Sequence, residues 1–327
     1  MELPWYFWAI VIFGSAIVLW KSSDQVLRAT NIIGVNFPEG IRGATFNAVS
    51  SSMPELFSTL FYLLAFRDHE GFSSGIATTA GSGIFNILVI PGLIGFVLFA
   101  STKSEKRYYL DKKVIRRDSL WLLSAQFLVL LILILSKRLT YHFGISLLCL
   151  YIGYIYFLTL KIKRSSIIHA FSSTIKFKAW RLLLFNTLII AGTCYLLVNS
   201  CIELSLYFNV SPVIMALVVT AGATSIPDAF MSIIDAKNEN YNDSFSNIIG
   251  SNIFDICVVI GGPVLVYALF YGPIDLVSKD FILKVWSAMI GINLFTISLY
   301  LFRKSIGIVE SLIFLFVYFI VIIYLIY

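Results

Sequence analysis

The sequence predicts an all-α polytopic membrane protein with ten transmembrane helices, built as two inverted five-helix repeats. Three observations support this prediction: an apolar composition, ten apolar stretches of membrane-spanning length, and two polar motifs that each occur twice. Of the 327 residues, 59% are hydrophobic and 13% are charged, and the mean hydropathy is +0.89. A soluble domain has about 25% charged residues. The composition therefore excludes an ordinary soluble enzyme, a nucleic-acid-binding domain and a disordered chain.

Each predicted span is an apolar stretch close to or above the roughly 20 residues that a helix needs to cross the hydrocarbon core. The first span is the most polar of the ten, and its Asp24 and Arg28 have the four-residue spacing of an ion pair on one helix face. Asp118 is predicted to cap the fourth span. The ten spans are predicted at 4–33, 39–66, 72–101, 118–136, 141–161, 179–207, 212–236, 245–271, 280–302 and 305–326.

Basic residues predict the orientation, because lysine and arginine in short connections stay on the cytoplasmic side. Sixteen of them fall in or beside the odd-numbered connections and four beside the even-numbered ones. The N-terminus and the C-terminus are therefore both predicted to lie outside, and the net charge of +6 is a topology signal. Residues 1–160 are assigned to the first repeat, 161–178 to a basic cytoplasmic loop, and 179–327 to the second repeat.

Two short polar motifs recur in the same order in the two halves of the chain. Residues 51–55, Ser-Ser-Met-Pro-Glu, correspond to 224–228, Thr-Ser-Ile-Pro-Asp. Residues 81–86, Gly-Ser-Gly-Ile-Phe-Asn, correspond to 250–255, Gly-Ser-Asn-Ile-Phe-Asp. The motifs lie on the second and third spans of each half. Because five spans per half is an odd number, the second copy is inverted, as in secondary transporters that bind substrate at the repeat interface.

Three carboxylates, those of Glu55, Asp228 and Asp255, lie within predicted spans. Each would cost about 2.5 to 3.5 kcal/mol near the bilayer centre if it were isolated. The motifs contain no lysine or arginine, so a bound cation is the expected partner. Hydroxyl side chains lie three or four residues before each of these carboxylates and before Asn86, the residue that corresponds to Asp255 in the first motif copy. They are Ser51 and Ser52 before Glu55, Ser82 before Asn86, Thr224 and Ser225 before Asp228, and Ser251 before Asp255.

Pro54 and Pro227 each place a proline inside a predicted span, where it removes a backbone donor. The sequence therefore predicts released carbonyls around Ala48, Ser51, Ala221 and Thr224. Carboxylate, hydroxyl and carbonyl groups form an all-oxygen site, which suits a hard cation such as calcium. The motifs contain no histidine or cysteine, which argues against a transition metal. The candidate metal-site residues are Glu55, Asn86, Asp228 and Asp255.

Charge counting predicts how such a site could exchange ions. With Glu55, Asp228 and Asp255 ionised, the site carries a charge of −3. One calcium ion leaves −1, whereas three sodium ions, or calcium with one potassium ion or proton, neutralise it. Mutually exclusive occupancy by these sets would produce exchange.

The motifs resemble the alpha repeats of the calcium/cation antiporter superfamily, specifically the sodium/calcium exchanger family. Residues 43–46, 50–57, 221–228 and 250–256 are most similar to its potassium-dependent branch, and the similarity is strongest over about 40–95 and 212–263. The resemblance implies alternating access, in which the first span of each half slides against a fixed core. It implies calcium ligands from Glu55, Asp228 and the carbonyls of Ser51 and Thr224. The sodium or potassium sites would then include Ala48, Ser52, Ser82, Asn86, Ala221, Ser225, Ser251 and Asp255.

Two departures from the family pattern affect these expectations. Ser50 replaces the glycine that usually precedes the first hydroxyl pair, which would alter the local helix break or the ion path. The connection at about 160–180 is too short for the large calcium-sensing domains of animal exchangers. An acidic Asp255 resembles the potassium-coupled branch, so potassium co-transport stays open.

Other functions remain as alternatives. A proton/calcium or other cation/calcium exchanger is the first, although neither repeat has the Gly-Asn-x-x-Glu signature, and a cation channel is the second. The third alternative is an intramembrane protease, but this sequence has no Gly-x-Gly-Asp motif of such an enzyme, so the chain is predicted not to be an enzyme. No cofactor, nucleic acid or obligate protein partner is expected besides the transported calcium, sodium, potassium or protons and the lipid bilayer. Compact loops favour the cytoplasmic membrane of a prokaryote.

Overall fold

A computed structural model describes residues 4–33, 41, 43–65, 69–101, 108–160, 173–276, 278–303 and 305–326 of the chain. These residues are almost entirely helical, which confirms the predicted all-α membrane class. Most of the predicted basic loop 161–178 lies outside the described residues, as do five further basic residues used for the orientation, namely Arg67, Lys103, Lys106, Arg107 and Lys304.

Among the residues that the structure describes, the first half of the chain contains six α-helices, one π-helical segment and two short strands. The elements are α1 (Trp5–Ile33), a π-helix (Gly43–Asn47), α2 (Ala48–Ser51), α3 (Met53–Ala65), α4 (His69–Ser101), β1 (Tyr108–Tyr109), α5 (Lys112–Leu135), β2 (Arg138–Leu139) and α6 (Tyr141–Leu160).

The second half repeats this order with more interruptions. Its elements are α7 (Ser173–Phe208), α8 (Pro212–Met215), a π-helix (Ala216–Thr220), α9 (Ala221–Thr224), α10 (Ile226–Lys237), α11 (Tyr241–Phe254), a π-helix (Asp255–Ile260), α12 (Gly261–Tyr271), β3 (Ile274–Asp275), α13 (Lys279–Phe302), β4 (Ser305–Ile306) and α14 (Ile308–Ile326).

Nine helices within the described residues are long and apolar enough to cross a membrane. They correspond to nine of the ten predicted spans. The remaining predicted span, 39–66, is represented by residues 43–65, which are helical but interrupted at Ser52. The count of ten therefore stays a prediction.

The second span of each half is broken at equivalent positions. Ser52 has φ −90° and ψ 7°, and Ser225, 173 residues later, has φ −81° and ψ −2°. In both copies a five-residue π-helix and a four-residue α-helix precede the break. A new helix then starts with proline as its second residue, where the missing N–H group is tolerated. The irregular backbone thus recurs with the same offset as the sequence motif.

Short strand pairs connect distant loops at the two ends of the bundle. β1 pairs with β4, so the connections before α5 and before α14 meet. β2 pairs with β3, so the connections before α6 and before α13 meet. This grouping is compatible with the predicted separation of odd-numbered from even-numbered connections. Which end faces the cytoplasm stays a prediction.

Asp118 does not cap a helix, which corrects the sequence prediction. α5 begins six residues earlier, at Lys112, and its cap is Asp111, whose side chain accepts the Lys113 N–H at 2.8 Å. Asp118 is instead fully buried in the helix, where it pairs with Arg117 and accepts the Ser246 hydroxyl of α11 at 2.8 Å. The error arose because charged residues continue the helix beyond the apolar stretch.

The motif glycines allow the two repeats to approach closely. A Cβ atom on Gly81 would overlap the carbonyl oxygen of Leu217 and lie 2.7 Å from Ala221 Cβ. A Cβ on Gly250 would lie 2.8 Å from Ala44 Cα and 2.9 Å from its carbonyl oxygen. Each glycine therefore faces the interrupted helix of the other repeat, since Ala44 and Leu217 both lie in π-helical segments.

Candidate cation-binding site

The three intramembrane carboxylates are fully buried at the positions where their helices begin or become irregular. Glu55 lies in the first turn of α3 and Asp228 in the first turn of α10. Backbone N–H groups at a helix N-terminus favour negative charge there. Asp255 is the first residue of a π-helix that interrupts the third span of the second half. The broken helices thus position all three acids in the protein interior.

Ser82 joins two of the carboxylates. Its hydroxyl lies 3.4 Å from Glu55 Oε1 and 3.2 Å from Asp255 Oδ2. The Ser225 hydroxyl lies 2.8 Å from Ser82 Oγ and 3.4 Å from the same Glu55 oxygen. Glu55 and Ser82 come from the first repeat, whereas Ser225 and Asp255 come from the second. This part of the site is therefore shared between the repeats.

Asn86 and Ser251 hold the third carboxylate. The Asn86 amide donates to Asp228 Oδ2 at 3.1 Å, and Ser251 donates to Asp228 Oδ1 at 2.7 Å. The Asn86 amide also lies 3.5 Å from Ser82 Oγ, so it connects the Asp228 carboxylate to the Glu55 and Asp255 pair. The structure thus brings together Glu55, Ser82, Asn86, Ser225, Asp228, Ser251 and Asp255 from the residues that the sequence singled out.

Two of the carbonyls that the sequence predicted to be released by the prolines accept backbone hydrogen bonds instead. The Ala48 carbonyl accepts the Ser52 N–H at 3.0 Å, and the Ala221 carbonyl accepts the Ser225 N–H at 3.0 Å. The prediction that these two carbonyls are released is therefore wrong. A proline removes the donor to the carbonyl four residues earlier, which here means Ser50 and Ala223.

The remaining predicted residues lie beside the breaks. The Ser51 hydroxyl donates to the Asn47 carbonyl at 2.9 Å, and it lies 3.4 Å from Ser251 Oγ. The Thr224 hydroxyl donates to the Ala221 carbonyl at 3.2 Å. Ser52 is fully buried at the break itself. Their side chains thus flank the carboxylate cluster.

Several oxygens in the site have no hydrogen-bond partner. Within the described part of the chain, Glu55 Oε2, Asp255 Oδ1, Asn86 Oδ1 and Ser52 Oγ are buried without one. None of the three carboxylates forms an ion pair with a described lysine or arginine. Leaving buried polar groups unpaired costs free energy, and more for charged groups. Unpaired oxygens of this kind fit hard cations bound through oxygen.

The three acids do not converge on one point. In the described residues, no three His, Cys, Asp or Glu side chains cluster closely enough to hold a metal ion. Serine hydroxyls and the Asn86 amide lie between the carboxylates instead. The arrangement therefore suits neighbouring ion positions that combine one or two carboxylates with neutral oxygens.

Two asparagines belong to this network and were not identified from the sequence. Asn252 accepts the Asn86 amide at 3.1 Å and donates to the Gly83 carbonyl at 3.1 Å. Asn247 lies one helical turn before Ser251, and its Oδ1 is 3.5 Å from Ser51 Oγ. The signal was available, because Asn252 replaces Gly83 in the repeated motif and Asn247 extends the four-residue spacing.

Known proteins resemble the chain over most of its length in one case and over about two fifths of it in another. Inner membrane protein YrbG of Escherichia coli (strain K12) is 27% identical over 304 residues, covering 85% of this chain and 88% of that protein. Human sodium/potassium/calcium exchanger 4 is 32% identical over 129 residues, which cover 39% of this chain and 19% of that protein.

Solved structures share the fold at low sequence identity. Native YfkE superposes with a TM-score of 0.76 at 20% identity, covering all of this chain and 94% of that chain. The H⁺/Ca²⁺ exchanger CAX gives 0.71 at 15% identity, covering 97% and 90%. The sodium-calcium exchanger NCX_Mj gives 0.66 at 22% identity, covering 97% of both. These similarities show a polytopic membrane fold.

The match to a protein family spans both halves of the chain. The family described as sodium/calcium exchanger protein matches residues 7–160 and 178–327. This match confirms the family that the motifs around Glu55 and Asp228 indicated. The chain therefore belongs to the sodium/calcium exchanger protein family and is an integral membrane protein that acts as a cation/calcium exchanger.

Proposed function

We propose that the chain exchanges sodium for calcium by alternating access. The observation that supports this proposal is the set of three fully buried carboxylates where the two motif pairs meet, two of which, Glu55 and Asp255, each keep one oxygen without a hydrogen-bond partner. Glu55 and Asp228 would bind calcium together with the Ser51 and Thr224 carbonyls. Asp255 and the neighbouring hydroxyl and amide groups would bind sodium or potassium.

Electroneutrality gives the reason why one ion would displace the other. Three ionised carboxylates in a low-dielectric interior repel each other strongly unless cations compensate them. Three sodium ions balance the charge, and calcium with one potassium ion or one proton also does so. Because the two sets would use overlapping oxygens, they could not occupy the site together.

An asymmetry between the two halves supports access from one side at a time. On α10 and α11, Asn247 donates to Ser232 Oγ at 3.0 Å and Ser244 donates to the Ser232 carbonyl at 2.7 Å. At the equivalent places on α3 and α4, the buried Thr59 hydroxyl has no partner within the described residues, Gly75 has no side chain, and the Thr78 hydroxyl donates to the Ser74 carbonyl of its own helix at 3.0 Å. Buried polar groups without protein partners commonly bind water. The first half thus has a buried hydroxyl that water could bind, whereas direct hydrogen bonds join α10 to α11 in the second half.

The membrane we propose is the cytoplasmic membrane of a bacterium. This proposal is supported by the similarity to an Escherichia coli inner membrane protein over 85% of the chain. Potassium is a further candidate for co-transport, because 39% of the chain is similar to human sodium/potassium/calcium exchanger 4.

Labelled calcium uptake into proteoliposomes tests the coupling ion. We expect vesicles loaded with sodium to accumulate calcium at least about tenfold above choline-loaded vesicles, because outward sodium flow would drive calcium inward. Sodium, potassium and proton gradients are imposed separately, with the membrane potential clamped. Uptake driven only by an acidic interior would identify a proton/calcium exchanger and refute sodium coupling. Uptake that followed no opposing gradient would indicate a channel.

Asp255→Asn tests the role of the third carboxylate. This change removes one negative charge but keeps the shape of the side chain, and it leaves Glu55 and Asp228 intact. We expect calcium binding to persist, and the sodium or potassium dependence of uptake to change, because one fewer monovalent cation is needed for neutrality. The measurement is the initial uptake rate against sodium and potassium concentration. An unchanged dependence on both ions would remove Asp255 from the ion sites.

A further inference from the structure

A groove separate from the cation site lies between α1, α7 and α10. It has a volume of about 440 Å³, and its walls combine charged and apolar side chains. Lys21, Asp24 and Arg28 of α1 form the polar wall, and Trp20, Phe230 and Ile234 form the apolar wall. We refer to it as the α1–α10 groove.

The polar wall carries a net positive charge. Arg28 Nε donates to Asp24 Oδ2 at 2.9 Å, which confirms the ion pair that their spacing predicted. Lys21 is exposed and forms no ion pair with any residue that the structure describes. Two cations therefore face one carboxylate, so the groove is complementary to a single negative charge.

The length of α1 places this wall near the membrane surface. Its 29 residues span about 44 Å at 1.5 Å per residue, whereas the hydrocarbon core is about 30 Å thick. Trp5 and Trp8 at the other end suit the aromatic belt of the opposite interface. Measured along the helix from Trp8, Arg28 lies about 30 Å away, where the second headgroup layer begins, and Lys21 lies about 20 Å away, below that layer, so that its long side chain must extend toward the surface. The position of Ile234 also places the groove near the membrane surface, because α10 ends about one turn later, at Lys237.

The apolar wall offers a surface for a hydrocarbon chain. The Trp20 ring stacks on Phe230 with 4.3 Å between centroids and 19° between planes. Phe230 and Ile234 remain 38% and 45% exposed. A ligand that combined one negative charge with an apolar chain would therefore contact both walls at once.

We propose that the α1–α10 groove binds an anionic phospholipid, with Lys21 and Arg28 contacting its phosphate and Trp20, Phe230 and Ile234 contacting an acyl chain. Such a lipid would bridge α1 to α10. Phe230 follows the Asp228 carboxylate by two residues on the same helix. Bound lipid would therefore influence how α1 sits against the helix that carries the site. The binding itself does not depend on the proposed function.

Fluorescence quenching by brominated lipid tests this proposal. The protein is reconstituted in phosphatidylcholine that contains a small fraction of phosphatidylglycerol brominated near the top of the acyl chain, or of equally brominated phosphatidylcholine. The Trp20 signal is the difference between the wild type and Trp20→Phe. We expect stronger quenching of Trp20 by the anionic lipid. Each Lys or Arg near the surface contributes about 1 kcal/mol, so Lys21→Gln should lower the preference about fivefold.

Lys112→Gln is the matched control, because Lys112 is an exposed lysine at the start of α5 and does not line the groove. We expect it to retain the wild-type preference. Equal quenching by both lipids in the wild type would overturn the proposal, since it would indicate ordinary boundary lipid. An equal loss in Lys21→Gln and Lys112→Gln would also overturn it, since it would indicate general surface charge. Calcium uptake is measured on the same vesicles, so failed lipid binding and failed sodium coupling are distinguished.

Discussion

Glu55→Gln and Asp228→Asn are each expected to reduce sodium-driven calcium uptake to the level of protein-free vesicles. Both acids are fully buried, and neither has a compensating lysine or arginine among the described residues. Removing one partner of a buried ion pair costs about 3 to 5 kcal/mol. That range corresponds to a loss of about two to three and a half orders of magnitude in calcium affinity.

The same variants should not be less stable in the absence of ions. An uncompensated buried carboxylate is unfavourable, and the amide has nearly the same shape without the charge. We therefore expect the ion-free variants to melt at or above the wild-type temperature. Calcium at 100 times its dissociation constant should stabilise the wild type by about 2.7 kcal/mol and should leave the variants unchanged.

Glu203→Gln provides the matched control for these measurements. Glu203 lies on α7, is exposed and has no part in the carboxylate cluster. We expect wild-type uptake and a wild-type calcium effect on melting. If Glu55→Gln or Asp228→Asn also transported calcium normally, the assignment of the calcium ligands would be wrong. Size-exclusion chromatography of each variant checks that it is folded before uptake is compared.

The sequence was sufficient to predict the membrane spans and the three intramembrane acids, because the lipid bilayer imposes strict conditions on both. A helix needs about 20 apolar residues to cross the membrane, so the apolar stretches located the helices to within a few residues at most ends. Carboxylates at that depth are costly, so Glu55, Asp228 and Asp255 were conspicuous. Helix ends were less predictable where polar residues continue the helix, as between Lys112 and Asp118.

Contacts between the repeats could not be predicted from spacing alone. The four-residue spacing placed Ser82 on one face with Asn86, but its hydroxyl lies between Glu55 and Asp255. Likewise, Ser225 contacts Glu55 rather than the acid of its own repeat. Helical periodicity describes one helix at a time, whereas these contacts depend on how the second and third spans of both repeats pack together.

The cation site therefore depends on close packing as well as on its acids. Gly81 and Gly250 precede Ser82 and Ser251 by one residue, and each glycine lies against the other repeat. The absence of a side chain at these positions lets the hydroxyls reach the interface. In this way the repeated Gly-Ser pair brings the halves into contact and supplies a polar group to the shared site.

Gly81→Ala is expected to destabilise the protein and to suppress calcium uptake, and Gly250→Ala should do the same more weakly. The new methyl group would collide with the Leu217 carbonyl in the first case and would lie 2.8 Å from Ala44 Cα in the second. Overpacking of this kind costs about 1 to 3 kcal/mol, and neither contact is with a flexible side chain. The measurements are thermal melting in detergent and initial uptake rates in proteoliposomes.

Gly262→Ala and Gly192→Ala separate this packing effect from a general intolerance of alanine. Nothing lies within 4 Å of a Cβ atom built at either position. Alanine also has the higher helix propensity, so both controls should melt at or slightly above the wild-type temperature and transport calcium normally. Wild-type melting and uptake in Gly81→Ala would contradict the close contact between α4 and the π-helix at Ala216–Thr220. Because that contact positions Ser82, the result would also contradict the shared geometry of the site.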